Sequence, residues 1–286
     1  MKFTNSKFIH HPNGQTTHYV EDNFTDPWKP FETILIQHGF GRHAAFWYHW
    51  VPALARHYRV IRRDARGHGL SSTPTNPTYE YTSQTICDEI IDTLNQLHIS
   101  KVHFLGESTS GMIGEILAAK HSDRIQSLII CSSPTWLPPA ALSLFAFGQK
   151  NWPTALRQLG PRGWAEALSK VPGAVSIPDN EYVQWWINQV SVSSSEGLAG
   201  YAEFLSTLDS RQYLAEIKVP MLILAPANSA ATSVEEQRAI QRAIPHAELV
   251  VINGRGHEIY VEMENECQAS VLKFLNDLSK INKREK

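Results

Sequence analysis

The 286-residue sequence has little cysteine, no long apolar run and almost no net charge, and each shortage closes off a class of protein. Cys87, Cys131 and Cys267 are odd in number and far apart, so they read as buried thiols rather than a disulfide framework, and redox chemistry is not expected. No stretch approaches the roughly 18 apolar residues of a membrane span, and positions 1–6 lack the apolar core of a secretory signal. A cytoplasmic protein is the expectation. A formal net charge of −2 gives no electrostatic case for nucleic acid or for an anionic membrane as partner. The histidines form neither HExxH nor a Cys/His zinc spacing, and the segment 39–44 lacks the third glycine of a dinucleotide fingerprint, so neither metal nor other cofactor is expected. Composition does not fix the oligomeric state, a homodimer included.

What is present is a rhythm of short apolar runs and amphipathic ones. Asn13-Gly14 between extended runs 8–11 and 18–20 predicts an N-terminal hairpin. Runs 33–37, 58–64, 102–105, 125–131, 219–225 and 247–252 predict buried strands, and the spacing predicts helices over 44–57, 82–97, 109–121, 234–244 and 259–281. Asp88, Glu89 and Asp92 are expected on a solvated helix face, and the tail 280–286 is expected to fray. Strict alternation implies right-handed crossovers and an α/β fold, a mostly parallel central sheet with helices on both faces and ligands at the carboxyl ends of its strands. The alternation lapses over 134–208, a segment rich in tryptophan, tyrosine and phenylalanine. Here an inserted helical cap is expected over a core of 1–133 and 209–286, its rings lining an apolar pocket, with Trp136, Trp185 and Trp186 as candidate substrate contacts.

The sharpest local signal is Leu105-Gly106-Glu107-Ser108-Thr109-Ser110-Gly111, where a strand run meets a helical run and small residues allow a tight turn that lifts the Ser108 hydroxyl clear. Two more loops follow strand runs, His38-Gly39-Phe40-Gly41 and Gly254-Arg255-Gly256-His257, and Asp64-Ala65-Arg66-Gly67-His68-Gly69-Leu70-Ser71 follows another. Together, and in this order, they resemble the α/β-hydrolase fold family, in particular its cap-bearing serine esterases and lactonases. That resemblance implies Ser108 as nucleophile, His257 as general base, and the amides of Phe40 and Thr109 as oxyanion hole, with Gly39 beside the substrate. A serine hydroxyl needs such an imidazole to take its proton at neutral pH. Asp64 reads as the organiser of its own loop, His38 likewise, and Arg42 and His43 as exposed neighbours of the oxyanion loop.

The chain departs from the family pattern twice. Ser110 replaces the second motif glycine. More important, neither position that normally supplies the acid carries one: the chain has Pro226-Ala227-Asn228-Ser229-Ala230-Ala231 after one strand and Ser132-Ser133-Pro134 after the other. Three explanations stay open. Asn228, Ser229 or Ser132 orients the imidazole without charge; Glu107 substitutes from beside the nucleophile; or a cap acid such as Asp179, Glu181 or Asp209 reaches in, or activity has been lost. The expected function is hydrolysis of a hydrophobic small ester or lactone through a Ser108 acyl-enzyme. Carbon–carbon bond hydrolysis of a dienone or β-diketone and a catalytically weak ligand receptor are the alternatives.

Overall fold

The computed structural model describes residues 5–284. Eight strands form one sheet: β1 (Ser6–His10), β2 (Thr16–Asp22), β3 (Glu32–Gln37), β4 (Tyr58–Arg63), β5 (Val102–Glu107), β6 (Ile125–Cys131), β7 (Met221–Pro226) and β8 (Glu248–Ile252). Their order is β1-β2-β4-β3-β5-β6-β7-β8. The hairpin strands β1 and β2 pair antiparallel with each other, and β2 with β4; every later pairing is parallel. From β3 the chain steps to β4 on one side, whereas from β5 it steps to β6 on the other. The crevice between β3 and β5 is therefore the topological switch point, where open α/β sheets bind ligands.

The helices are α1 (Val51–Leu54), α2 (Ser83–Gln96), α3 (Thr109–Lys120), α4 (Pro139–Ala146), α5 (Trp152–Leu168), α6 (Asn180–Val190), α7 (Ser195–Leu205), α8 (Val234–Ala243), α9 (Ile259–Glu262) and α10 (Glu264–Arg284). Helix α3 packs on β5, β6 and α2, α8 and α10 each pack on β7 and β8, and α1 packs on β4. Their packing buries β3, β5, β6 and β7 almost completely, which is why these strands are continuous apolar runs rather than alternating ones. No helix among the described residues is long and apolar enough to cross a membrane.

Four departures from the sequence reading have local causes. The expected helix at 44–57 is split into a 3-10 segment, Ala44–Trp50, and α1, with Pro52 in the first turn of the second piece. Proline tolerates that position because it lacks only an N–H that has no intrahelical acceptor there. The last helix breaks at Met263, so α9 is a single turn that sets the direction of α10. Glu89 is buried, not solvated, because Arg66 grips its carboxylate through Nε and Nη2 while Asn13 and Tyr79 donate to it. The tail is helical to Arg284; the remainder of the expected frayed segment, 285–286, and positions 1–4 of the expected leaderless start lie outside the described residues.

Between β6 and β7 the chain forms α4 to α7. Helix α5 bends at Gly160, whose φ of 68° precedes Pro161, so the helix changes direction where proline removes a hydrogen bond. Its two halves carry Trp152 and Trp164, both buried.

Candidate active site

Ser108 stands between the end of β5 and the start of α3 with φ 52° and ψ −127°, a strained conformation for a residue with a side chain. The surrounding glycines show what holds it. A Cβ on Gly106 would sit 2.5 Å from the Ser110 carbonyl oxygen, so β5 and α3 approach too closely for a side chain there, and one on Gly111 would sit 2.1 Å from Ser133 Oγ, where α3 meets the segment after β6. Ser110 fits where the family has glycine because its hydroxyl turns away and donates to the His38 carbonyl at 2.6 Å. That bond ties the nucleophile turn to the loop after β3.

Register brings His257 to Ser108. Pro226 of β7 pairs with Ile252 of β8, which places the loops after these two strands side by side. The Ser132 hydroxyl, itself at φ 52°, donates to the His257 carbonyl at 2.8 Å, and the His257 amide donates to the Gly173 carbonyl at 2.9 Å. The imidazole is thereby fixed with Nε2 2.9 Å from Ser108 Oγ. Burial, with the charge of Arg42 adding to it, lowers its pKa to about 3.

Its other nitrogen, Nδ1, lies 2.8 Å from the hydroxyl of Ser229. No carboxylate is there. Ser229 Oγ also accepts the backbone N–H groups of Ala231 and Thr232 at 3.0 and 3.1 Å. A hydroxyl has two lone pairs and one proton, so with both lone pairs engaged it is the proton that points to Nδ1. Nδ1 then accepts, and Nε2 carries the imidazole proton toward Ser108. That is the opposite of the tautomer a general base needs.

The other acid candidates are accounted for elsewhere. Asn228 donates to the Gly254 carbonyl at 2.8 Å and makes no bond to His257. Asp179 caps α6 through the amides of Glu181 and Tyr182, Glu181 is exposed, and Asp209 pairs with Arg211. Glu107 precedes Ser108 and lies beneath it. Its Oε2 accepts the Gly39 amide at 2.5 Å and its Oε1 is 3.8 Å from His257 Nε2, so it addresses the reacting side of the imidazole rather than Nδ1. Burial raises its pKa to about 7 against the opposing effects of Arg42 and the Gly39 N–H.

The loop after β3 is fixed at several points. His38 accepts the Ala65 amide and bonds the Gly39 carbonyl, and Asp64 accepts the amides of Ala44 and Leu70, so both act as the loop organisers expected of them. Arg42 and His43 are buried rather than exposed. Phe40 and Thr109 both border the cavity beside Ser108, and Thr109, in the first turn of α3, has an amide without an intrahelical acceptor.

That cavity, about 60 Å³, is bordered by Ser108 and His257 and by Leu144, Phe145, Trp152, Trp164 and Leu168 of α4 and α5. Of the tryptophans expected to line it, none does. Trp136 pairs with Asp209 in an isolated bridge and lies under the Arg211 guanidinium; Trp185 packs edge-on against Phe46; and Trp186 is buried with its indole N–H on Glu258. Gly39 contacts Glu107 and Ser108 instead of the cavity: a Cβ there would meet their side chains at 2.5 and 2.8 Å. Trp152 and Trp164 were legible only as members of an aromatic-rich segment. What selects them is their stacking with centroids 6.4 Å apart and the edge of Phe40 against both.

Comparisons with known proteins agree with this fold. The family model for the alpha/beta hydrolase fold matches residues 32–263. The chain is 26% identical over 248 residues to a 3-oxoadipate enol-lactonase of Acinetobacter baylyi, covering 85% of this chain and 89% of that protein. The crystal structure of a hydrolase from Pseudomonas aeruginosa superposes with a TM-score of 0.82 at 29% identity, over 96% of this chain and 99% of the other. An enol-lactonase from Burkholderia xenovorans shares the fold at the same TM-score and 24% identity, over 94% and 100%. With a serine on a strained strand-to-helix turn, a histidine after the last strand and a family match over most of its length, the chain belongs to the α/β-hydrolase fold family.

Proposed function

We propose that the protein is a serine hydrolase that opens an ester or lactone of a small, uncharged, largely apolar molecule. The observation that carries this is the 2.9 Å contact of His257 Nε2 with a strained Ser108 bordering an apolar cavity. In the reaction the ring proton of His257 first moves to Nδ1, where the Ser229 hydroxyl accepts it after giving up one backbone amide, and the freed Nε2 then takes the Ser108 hydroxyl proton as Oγ adds to the carbonyl carbon. The oxyanion develops between the Phe40 and Thr109 amides, which are worth roughly 3 kcal/mol each in such sites. The proton passes to the departing alkoxide, and water then releases the acyl group from Ser108 by the same exchange. Residues 134–208 act as the cap that covers this chemistry, α4 and α5 supplying the cavity wall.

The apolar wall favours a hydrocarbon-like acyl or ring portion, and the enol-lactonase names among the relatives favour a lactone within the ester class. A panel pairing simple aryl esters with lactones and β-diketones tests the choice. Ester or lactone hydrolysis should exceed β-diketone cleavage by about 10²-fold or more, since nothing in the site is arranged to hold a carbanion. Preferential carbon–carbon cleavage would overturn it. The neutral contact at Nδ1 also favours a second reading, a weakly catalytic ligand receptor; thermal stabilisation by substrate analogues without product distinguishes it.

Glu107 makes the pH dependence specific. Its carboxylate, 3.8 Å from Nε2, stabilises the imidazolium as it forms. His257, with its pKa near 3, stays neutral across the working range and contributes no limb there. Glu107 takes up a proton as pH falls through about 7, so kcat/KM should be full above that value and decline below it. Glu107→Gln should remove this limb and leave a flat, lower profile between about pH 5 and 8. A limb that persists unchanged in the variant would exclude Glu107 from the reaction.

A further inference from the structure

Among the described residues Arg42 is the one Lys or Arg side chain bordering the cavity, and it is already engaged. Its Nε and Nη2 donate to Glu258 Oε1 at 3.1 and 2.8 Å, and its Nη1 donates to the Phe40 carbonyl at 3.1 Å. Glu258 is itself fully buried and receives the Trp186 indole N–H at 2.9 Å and the Tyr182 hydroxyl at 3.3 Å. The Trp186 ring lies 4.5 Å from the guanidinium carbon and Phe46 lies 5.6 Å from it. Arg42 follows the oxyanion residue by two positions, and Glu258 follows His257 by one. The ion pair therefore spans the two catalytic loops, clamped from above by α6.

Two consequences follow from the charges. Guanidinium has five N–H donors, of which three are directed to protein oxygens, so two remain in a side chain that borders the cavity. Its charge, however, is matched by Glu258, while Glu107 adds further negative charge as it ionises. An anionic group entering the cavity meets no unmatched cation and at least one carboxylate nearby. We propose that Glu258 is a specificity-determining residue: by neutralising Arg42 it reserves the pocket for uncharged substrates, and loss of its charge turns the pocket toward carboxylate-bearing esters. This rests on the serine hydrolase reading above.

The test is a matched pair of aryl esters, p-nitrophenyl butyrate and p-nitrophenyl hemisuccinate, which differ in a terminal methyl against a carboxylate. Wild type should favour the butyrate by about tenfold or more in kcat/KM, a modest demand for charges a few ångströms apart in a buried site. Glu258→Gln keeps an amide oxygen for Arg42 and the indole but drops the charge, and should lower the butyrate-to-hemisuccinate ratio by about tenfold or more, chiefly through a lower KM for the anion. A purely structural role would slow both esters alike and leave the ratio where it was. The double variant Arg42→Gln/Glu258→Gln, which removes both charges together and so avoids an unpaired buried cation, should restore preference for the butyrate. Wild type that takes both esters equally, or a ratio unmoved in Glu258→Gln, overturns the proposal, and the wild-type comparison does so even if the single variant fails to fold. Labelling of Ser108 by a fluorophosphonate in the same samples keeps the two readings apart. No label in wild type counts against the serine mechanism, whereas a labelled enzyme with an unmoved ratio counts against Glu258 alone.

Discussion

Ser108→Ala is expected to lower ester turnover by about 10⁴-fold or more, because in the proposed reaction it removes the atom that would form the acyl-enzyme and leaves only the proposed oxyanion amides and the cavity to supply residual catalysis. The same position should reveal stored strain. Ser108 holds φ 52° and ψ −127° in a turn where Gly106 lets β5 abut the start of α3 and Gly111 lets α3 abut Ser133 after β6. Residues held this way cost on the order of 1–3 kcal/mol, and glycine is released from most of that. Ser108→Gly should therefore raise Tm by a few degrees, roughly 2–4 °C for a chain of this size, while also abolishing turnover. Initial rates with an aryl ester and a thermal melt check both halves. Retained turnover in either variant would remove Ser108 from the chemistry.

Ser229→Asp is expected to work in the opposite direction, raising kcat by about 10²-fold. In wild type His257 is a weak base for two reasons that share one cause. Nothing anionic touches Nδ1, so burial and Arg42 hold the imidazole pKa near 3, and the Ser229 hydroxyl donates where an acceptor is needed. A carboxylate at 229 would accept from Nδ1–H, fix the tautomer with Nε2 free, and stabilise the imidazolium. Basicity should rise by several pKa units, of which part appears in the rate. The Ala231 and Thr232 amides that now bond Ser229 Oγ would help keep the new carboxylate ionised. Ser229→Ala sets the other bound: it leaves Nδ1 unpartnered and should cost about tenfold or less, because a neutral hydroxyl contributes only a modest bond. A Ser229→Asp enzyme no faster than wild type, with its fold intact, would mean that something other than this residue limits His257.

The parts of this site that were legible in the sequence are those governed by backbone constraint. Gly106, Ser108 and Gly111 announce a turn because only small residues permit the contacts seen there, and the run 125–131 coincides with β6 because burial on both faces favours its apolar stretch Leu128–Cys131. The side-chain partners were not legible. Asn228 and Ser229 are adjacent and equally polar, and only the register of β7 against β8 decides that Ser229 meets Nδ1 while Asn228 turns to Gly254. Glu89 shows the same limit: helical periodicity places it beside Asp88, but the strand-borne Arg63 and the loop residue Arg66 converge on it from distant positions in the chain and draw it inside. Over 134–208, aromatic content predicts a packed wall without saying which ring faces Ser108. The Gly160–Pro161 bend in α5, which brings Trp152 and Trp164 to Phe40, decides that.

Intact-protein mass spectrometry after exposure to a fluorophosphonate, followed by peptide mapping, tests the central claim most directly, because phosphonylation needs both an activated serine and an oxyanion hole. A single adduct on Ser108, formed faster in Ser229→Asp and absent from Ser108→Ala, is the predicted result. A wild-type protein that remains unlabelled, or is labelled at another residue while Ser108 stays free, would contradict it.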